Sequence, residues 1–205
     1  MTSRHGAKSP VPRQKSHNVA EVTDPRTEKT RALIAGAFVA LLRGRSYARI
    51  RVSDITRKAG VGRATFYAHF ESKDALLRAE LVRVVSPMLG ELPGDPCLVD
   101  CTKLFAHLQQ EREIYRSLMA GTTRVVTERI IQDALEARIA SLVALSSAQT
   151  DAAVTTRTFV PRFVAGTILA LIAWSLEQAA APAPVELQGT YRVLVGRALH
   201  SGARA

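Results

Sequence analysis

The feature that most constrains the fold of this chain is a short unit at residues 52–70, in which a glycine turn separates two runs of helical spacing. The runs extend over residues 52–59 and 63–70. Gly60 adopts a left-handed conformation at a helix end with little steric cost, and Val61 places an apolar side chain in the turn. The pattern predicts two helices of about two turns each, arranged as a helix-turn-helix.

Helical spacing continues on both sides of this unit. It predicts a first helix from Asp24-Pro25 to Gly44 and a fourth from Lys73 to Val85, with Ser72 as its N-cap. Beyond a loop rich in proline and glycine, no alternating strand pattern is found, so we expect an all-α chain. Pro161 is a point at which one of the later helices can break. The later helices are expected at residues 99–108, 111–120, 122–147, 151–180 and 184–200.

Positive charge is concentrated at one end of the chain. The whole sequence has 28 Lys+Arg and 18 Asp+Glu, a net charge of +10, of which residues 1–75 carry +9 and residues 76–205 carry +1. Such asymmetry favours a nucleic acid or an anionic membrane as the partner of the basic part. The near-neutral remainder is expected to serve another purpose.

The outward face of the second helix of the unit distinguishes DNA binding from ordinary core packing. Helical hairpins with a glycine turn are common core structure, and that interpretation accounts for inward residues such as Phe66 and Phe70. It does not account for Arg63, Tyr67 and His69, which are hydrogen-bond donors with no acid among them. Base edges and phosphates present mainly acceptors to such donors, so the face indicates a recognition helix.

These residues also resemble a known family. The segment 55–77, ITRKAGVGRATFYAHFESKDALL, is similar to the DNA-binding signature of TetR/AcrR-type transcriptional regulators, and the resemblance extends over about residues 27–77. It implies a homodimer whose C-terminal helices bind a small molecule and release a palindromic operator. The sequence departs from the family pattern at Thr56, at Gly62 and at Arg51, where Thr or Ser is usual as N-cap. Ser53 is therefore an alternative cap. The pieces that carry the resemblance are Ala59-Gly60-Val61, Tyr67-Ala68-His69-Phe70 and Ser72-Lys73.

The position of each residue suggests its role in DNA binding. Arg63, at the start of the recognition helix, is expected to contact a base, and its guanidinium suits a guanine through two hydrogen bonds. By resemblance, Tyr67, His69 and Lys73 hold phosphates, which positions the helix without reading sequence. The candidate DNA-binding residues are Ser53, Thr56, Arg63, Ala64, Thr65, Tyr67, His69 and Lys73.

Three segments are expected along the chain: a disordered basic arm at 1–23, a DNA-binding domain at 24–75, and an effector-binding and dimerisation domain at 76–205. The last two helices are apolar almost all round and are expected to pair with their copies, although a monomeric core is the alternative. An apolar or aromatic effector is expected among the middle helices, where each candidate residue is otherwise simple core. The candidate lining residues are Phe105, Leu108, Tyr115, Leu118, Met119, Phe159, Phe163 and Trp174.

Other functions find little support in the sequence. Residues 76–205 contain no nucleophile–base pair and no phosphate-binding loop, so we expect no enzyme activity and no cofactor. Cys97, Cys101 and His107 lack zinc spacing and a fourth ligand, so no metal is expected and a redox role stays open. The apolar stretch 163–176 is short for a membrane span, and no secretory signal precedes it, which favours the cytoplasm. A DNA-binding regulator without small-molecule control is the alternative.

Overall fold

The computed structural model describes residues 25–92, 99–146 and 154–200, and within them the expected all-α architecture is confirmed. The predicted arm at 1–23 and Cys97 lie outside the described residues. The helices are α1 (Pro25–Leu42), α2 (Val52–Ala59), α3 (Arg63–His69), α4 (Lys73–Val85), α5 (Thr102–Gln110), α6 (Arg112–Leu118), α7 (Arg124–Ser146), α8 (Val154–Glu177) and α9 (Pro184–His200). Single 3-10 turns occur at Tyr47–Arg49, Ser86–Met88 and Gly121–Thr123.

A small strand pair corrects the expected helix at 99–108. Strand β1 (Gly90–Glu91) pairs antiparallel with β2 (Val99–Asp100), and α5 begins only at Thr102. The backbone of Val99 is also held from α9, since its N–H donates to the Tyr191 hydroxyl at 3.2 Å and its carbonyl accepts from the Gln188 amide at 3.1 Å. These partners satisfy the backbone in an extended form, and a helical pattern alone does not reveal them.

The first four helices pack around one group of buried aromatic and aliphatic side chains. Phe38 of α1, Ile55 of α2 and Phe66 of α3 are fully buried, and Phe70 closes the group. The Arg31 guanidinium lies 4.7 Å from the centroid of the Phe70 ring. Helices α2 and α3 are each too short to be stable alone in water, so both depend on packing against this cluster.

The remaining helices form a second bundle in which α7 packs against α8 and α4, and α5 packs against α9. Helix α8 continues through Pro161, a point at which the sequence allowed a break. Pro161 and Val160 are buried, which offsets one missing backbone hydrogen bond. Residues 158–177 of this helix have a mean hydropathy of 1.7, and the stretch is long and apolar enough to cross a membrane. Half of it is buried inside the protein, as in a core helix.

The expected domain boundary at residues 75 and 76 falls inside α4. This helix contributes Leu76, Leu77 and Leu81 to the core and also packs against α7. Helix α4 is therefore shared by the basic N-terminal part and the bundle behind it, and the division into domains stays a prediction.

Candidate nucleic-acid interface

Helix α2 begins at Val52, and its first turn is held by Asp54. The Asp54 carboxylate accepts a hydrogen bond from the backbone N–H of Arg51 at 3.0 Å, which makes Arg51 the N-cap position. The alternative in which Ser53 caps a later start is therefore wrong. This bond is one half of a capping box, and the arginine side chain has no acceptor with which to make the other half.

The turn between α2 and α3 depends on its two glycines. Gly60 has φ 68° and ψ 30°, the left-handed conformation that ends α2, and its N–H bonds back to the Arg57 carbonyl at 3.4 Å. Gly62 has an extended conformation and occupies the N-cap position of α3. The turn thereby directs the first residue of α3 outward.

Helix α3 has one buried face and one donor-rich face. Phe66 is buried, whereas Arg63 and Ala64 are exposed and Tyr67 is 48% exposed. Thr65 and His69 lie at intermediate exposure on the edges of this face. The structure thus brings five of the eight candidate residues together on one accessible helix surface.

The other three candidates lie elsewhere. Thr56 is only 6% exposed, and its hydroxyl donates to the Ser53 carbonyl at 3.3 Å. Ser53 itself is half-buried near the start of α2. Since Thr56 is enclosed and its hydroxyl donates within its own helix, this conformation does not present it to a phosphate.

Lys73 is engaged with the protein. Its ammonium donates to the carbonyls of Tyr47 and Ile50 at 3.0 and 2.9 Å and lies 4.0 Å from the centroid of the Tyr47 ring. Partial burial lowers the pKa of Lys73, and the neighbouring Asp74 carboxylate opposes that shift. These contacts join the start of α4 to the turn before α2, so the geometry favours an internal role.

Tyr47 completes the same cluster. Its hydroxyl donates a hydrogen bond to the Asp74 carboxylate, and burial followed by this bond raises its pKa above the ordinary tyrosine value. The ring also meets Phe38 edge-on, with centroids 6.1 Å apart. Residues 47–50 and the first turn of α4 therefore form a polar brace beside α3.

The surroundings of α3 are strongly positive. Residues 43–63 contain seven basic side chains and one acidic side chain, a net charge of +6. All seven basic residues are exposed, whereas the one acid, Asp54, is half-buried and bound at the start of α2. This combination gives a surface suited to a polyanion. The basic residues are Arg43, Arg45, Arg49, Arg51, Arg57, Lys58 and Arg63.

The expected effector-lining residues do not converge on one cavity. Tyr115 and Leu118 line a cleft of about 230 Å³, but this cleft lies between α1, α4, α5 and α6. Phe159 and Trp174 are 59% and 48% exposed on α8, so the expectation that they line a cavity is wrong for the single chain. Apolar composition did not distinguish a lining position from a surface position. Phe105, Leu108 and Met119 are buried core residues, and Phe163 is half-buried.

The cysteine described by the structure is poorly suited to redox sensing. Cys101 is fully buried, and burial raises the pKa of its thiol well above the ordinary value. A protonated, enclosed thiol is unreactive. Among the described residues, no group of three His, Cys, Asp or Glu side chains is placed to hold a metal ion.

Sequence reasoning missed the contact that joins α1 to the turn between α5 and α6. The Arg43 guanidinium contacts the Glu111 carboxylate at 2.5 Å, and this hydrogen bond and charge lower the pKa of Glu111. The two residues are 68 positions apart, and no local pattern connects them. The cleft walls from α1 and α4 were missed because their apolar residues were assigned to the helix-turn-helix core.

Comparison with known proteins places this surface in context. A family model described as "Bacterial regulatory proteins, tetR family" matches residues 34–79, which include α2, α3 and the start of α4. An uncharacterized HTH-type transcriptional regulator from Bacillus subtilis, YxbF, is 35% identical over 91 residues, or 42% of this chain. The match spans only 24% of that relative's length.

Solved structures extend the likeness to the whole fold. A TetR transcriptional regulator from Streptococcus agalactiae is 22% identical with a TM-score of 0.57, and the match covers 84% of this chain and 96% of that one. A second TetR regulator, from Rhodococcus, is 17% identical with a TM-score of 0.57, over 83% and 98% of the two chains. Residues 34–79 therefore match the model of the tetR family of bacterial regulatory proteins, and the fold of the chain is similar to that of TetR regulators.

Proposed function

We propose that the protein is a sequence-specific DNA-binding transcriptional regulator that reads its operator with α3. The single observation that carries the proposal is the accessible donor face of this helix. Seven residues at 1.5 Å rise make α3 about 10 Å long, which fits across a major groove about 12 Å wide. The exposed arginines around it supply attraction to the phosphates on either side.

Arg63 is the proposed base-reading residue. It is the first residue of α3, is exposed, and makes no hydrogen bond or ion pair with another described residue. A guanidinium at this position reaches the two acceptors of guanine in the major groove. Thr65, Tyr67 and His69 then contact the sugar-phosphate backbone or a thymine methyl group, and these contacts fix the register of the helix.

The regulator acts as a homodimer through α8 and α9. Five large apolar side chains on these two helices are exposed in the single chain, among them Trp174 and Leu194. Covering them with the same face of a second copy removes this apolar surface from water and creates a two-fold axis. Two copies of α3 then meet successive major grooves of a palindrome, about 34–36 Å apart.

The similarity to TetR regulators supports the finer parts of the proposal, which are repression in the cytoplasm and release from the operator by a small molecule. The cleft between the N-terminal helices and the bundle gives a ligand a place to act on both. An uncharged effector matches the balanced charges of that cleft. In this scheme the ligand selects a conformer whose recognition helices no longer match adjacent grooves.

The test is selection of bound sequences from random duplex DNA, followed by affinity measurements on the selected palindrome. Arg63→Ala is expected to reduce discrimination at one base pair by about 1–3 kcal/mol, because it removes a contact to one base. Arg116→Ala is the matched control, since Arg116 is an exposed arginine on α6, far along the chain from α3. Failure to enrich any sequence, or equal discrimination by both variants, contradicts the proposal.

A further inference from the structure

A cleft of about 230 Å³ lies where the DNA-binding helices meet the bundle behind them. One wall is formed by α1 and α4, with Phe38 and Leu81, and the opposite wall is formed by α6, with Ile114 and Leu118. Most lining side chains are apolar or aromatic. The cleft is therefore a junction site, distinct in position from an interior cavity of the bundle.

The charges around the cleft cancel in pairs. The Glu111 carboxylate contacts the Arg43 guanidinium at 2.5 Å, and the Glu80 carboxylate contacts Arg83 at 2.7 Å. Each lining acid thus has its own lining arginine, and no charge is left over for a ligand. A charged ligand would lose water without gaining a free counter-ion, which is unfavourable in a mainly apolar site.

The polar lining side chains outside the two ion pairs are His107 and Tyr115, whose rings meet edge-on with centroids 5.7 Å apart. A neutral imidazole offers one donor and one acceptor. The site therefore suits an uncharged aromatic body that carries one hydrogen-bonding group.

The volume of the cleft indicates the size of the ligand. An apolar cavity of about 150 Å³ in another protein binds benzene. A cleft of about 230 Å³ is half as large again, which corresponds to two fused rings. A larger ligand would extend out of this open cleft into solvent.

We propose that this junction cleft binds an uncharged aromatic small molecule of about two fused rings, and that this is where the effector acts. The inference rests on the proposed ligand-controlled DNA binding. Because the two walls come from α1 and α4 on one side and from α5 and α6 on the other, an occupant contacts both parts of the protein at once. A conformer in which these walls have a different separation binds the ligand with a different affinity, which is the requirement for control.

The test uses 2-naphthol as the probe in calorimetric titration of the full chain. Val84 lines the cleft and Val82 is exposed on the same helix, so Val84→Phe fills the site and Val82→Phe is its matched control. Val84→Phe is expected to weaken probe binding by about tenfold or more, whereas Val82→Phe leaves it within about twofold. If Val84→Phe does not fold, Ile114→Phe fills the cleft from the opposite wall and gives the same comparison.

Two charged analogues of 2-naphthol test whether the cleft prefers an uncharged ligand. The anion 2-naphthoate and the cation 2-naphthylmethylammonium are expected to bind wild type at least about tenfold more weakly than 2-naphthol. Absence of saturable 2-naphthol binding, undiminished binding to the filled variants, or equal binding of all three probes overturns the inference. Specific DNA binding by the wild type without probe is measured separately, and its absence overturns the proposed function instead.

Discussion

Substitution of Lys73 by methionine separates an internal brace from a phosphate contact. The change keeps the length and most of the apolar stem but removes the ammonium from the Tyr47 and Ile50 carbonyls. Hydrogen bonds to a charged donor contribute about 1.5–3 kcal/mol each when well formed. Because Lys73 is only partly buried, solvent screening reduces that value, and we expect a combined loss of about 2 kcal/mol.

The assay is urea unfolding at a fixed protein concentration, with Lys58→Met as the control. Lys58 is an exposed lysine in the last turn of α2, so its loss should change the free energy of unfolding by less than about 0.5 kcal/mol. Affinity for DNA is then measured across salt, where loss of one phosphate contact lowers the slope of log affinity against log salt by about 1. If Lys73 acts as an internal brace, Lys73→Met has reduced stability and an unchanged slope of log affinity against log salt. Unchanged stability with a reduced slope refutes the reasoning.

Three further predictions concern the turn, the junction and the dimer. Gly60→Ala is expected to destabilise the protein by about 1 kcal/mol, because Gly60 has a φ of 68°. Gly62→Ser adds an acceptor at the N-cap of α3 and is expected to stabilise the protein by a few tenths of a kcal/mol. If the urea midpoints of both variants moved in the same direction, this prediction would be contradicted. Burial lowers the pKa of His107, so folding disfavours its protonated form, and stability is lost as pH falls below about 6.5 through the folded value. His107→Gln should flatten this pH dependence of unfolding, and an unchanged slope argues against it. Leu194→Lys on α9 should shift sedimentation from dimer to monomer, whereas Val125→Lys on α7 should not; a dimer in both variants excludes this interface.

The helix-turn-helix was predictable from sequence because its determinants are local. Gly60 ends one helix, the spacing of Phe66 and Phe70 buries the next, and Ser72 caps α4 through a bond to the Ala75 N–H at 3.0 Å. Each signal acts over a few residues. The first four helices therefore begin and end close to the expected positions.

The residues that sequence reasoning misplaced depend on contacts between distant parts of the chain. Lys73 points inward because the carbonyls of Tyr47 and Ile50 accept hydrogen bonds from its ammonium. Val99 is extended because its backbone forms hydrogen bonds with Gln188 and Tyr191 of α9. No periodicity encodes such partners. The junction cleft was missed for the same reason, since its walls come from separate helices and are joined by contacts such as that of Arg43 with Glu111, 68 positions apart.

The sequence also did not predict which apolar side chains are exposed. Phe159 and Trp174 have the composition of core residues, but both lie on the outer surface of α8 in the single chain. Helical spacing on a helix that is apolar all round does not indicate which side faces its own protein. Their position supports a role at the proposed dimer interface rather than in a ligand cavity.

The most direct test of the account is the affinity of the dimer for its selected palindrome and for a scrambled duplex of the same length, each measured at several salt concentrations. A recognition helix that reads bases predicts a preference of about a thousandfold or more for the palindrome. It also predicts that this preference depends on Arg63, whereas the attraction of the surrounding arginines contributes to both duplexes and weakens with salt. Equal affinities with the same salt dependence would show that the basic surface binds DNA without reading it, and would contradict the central claim.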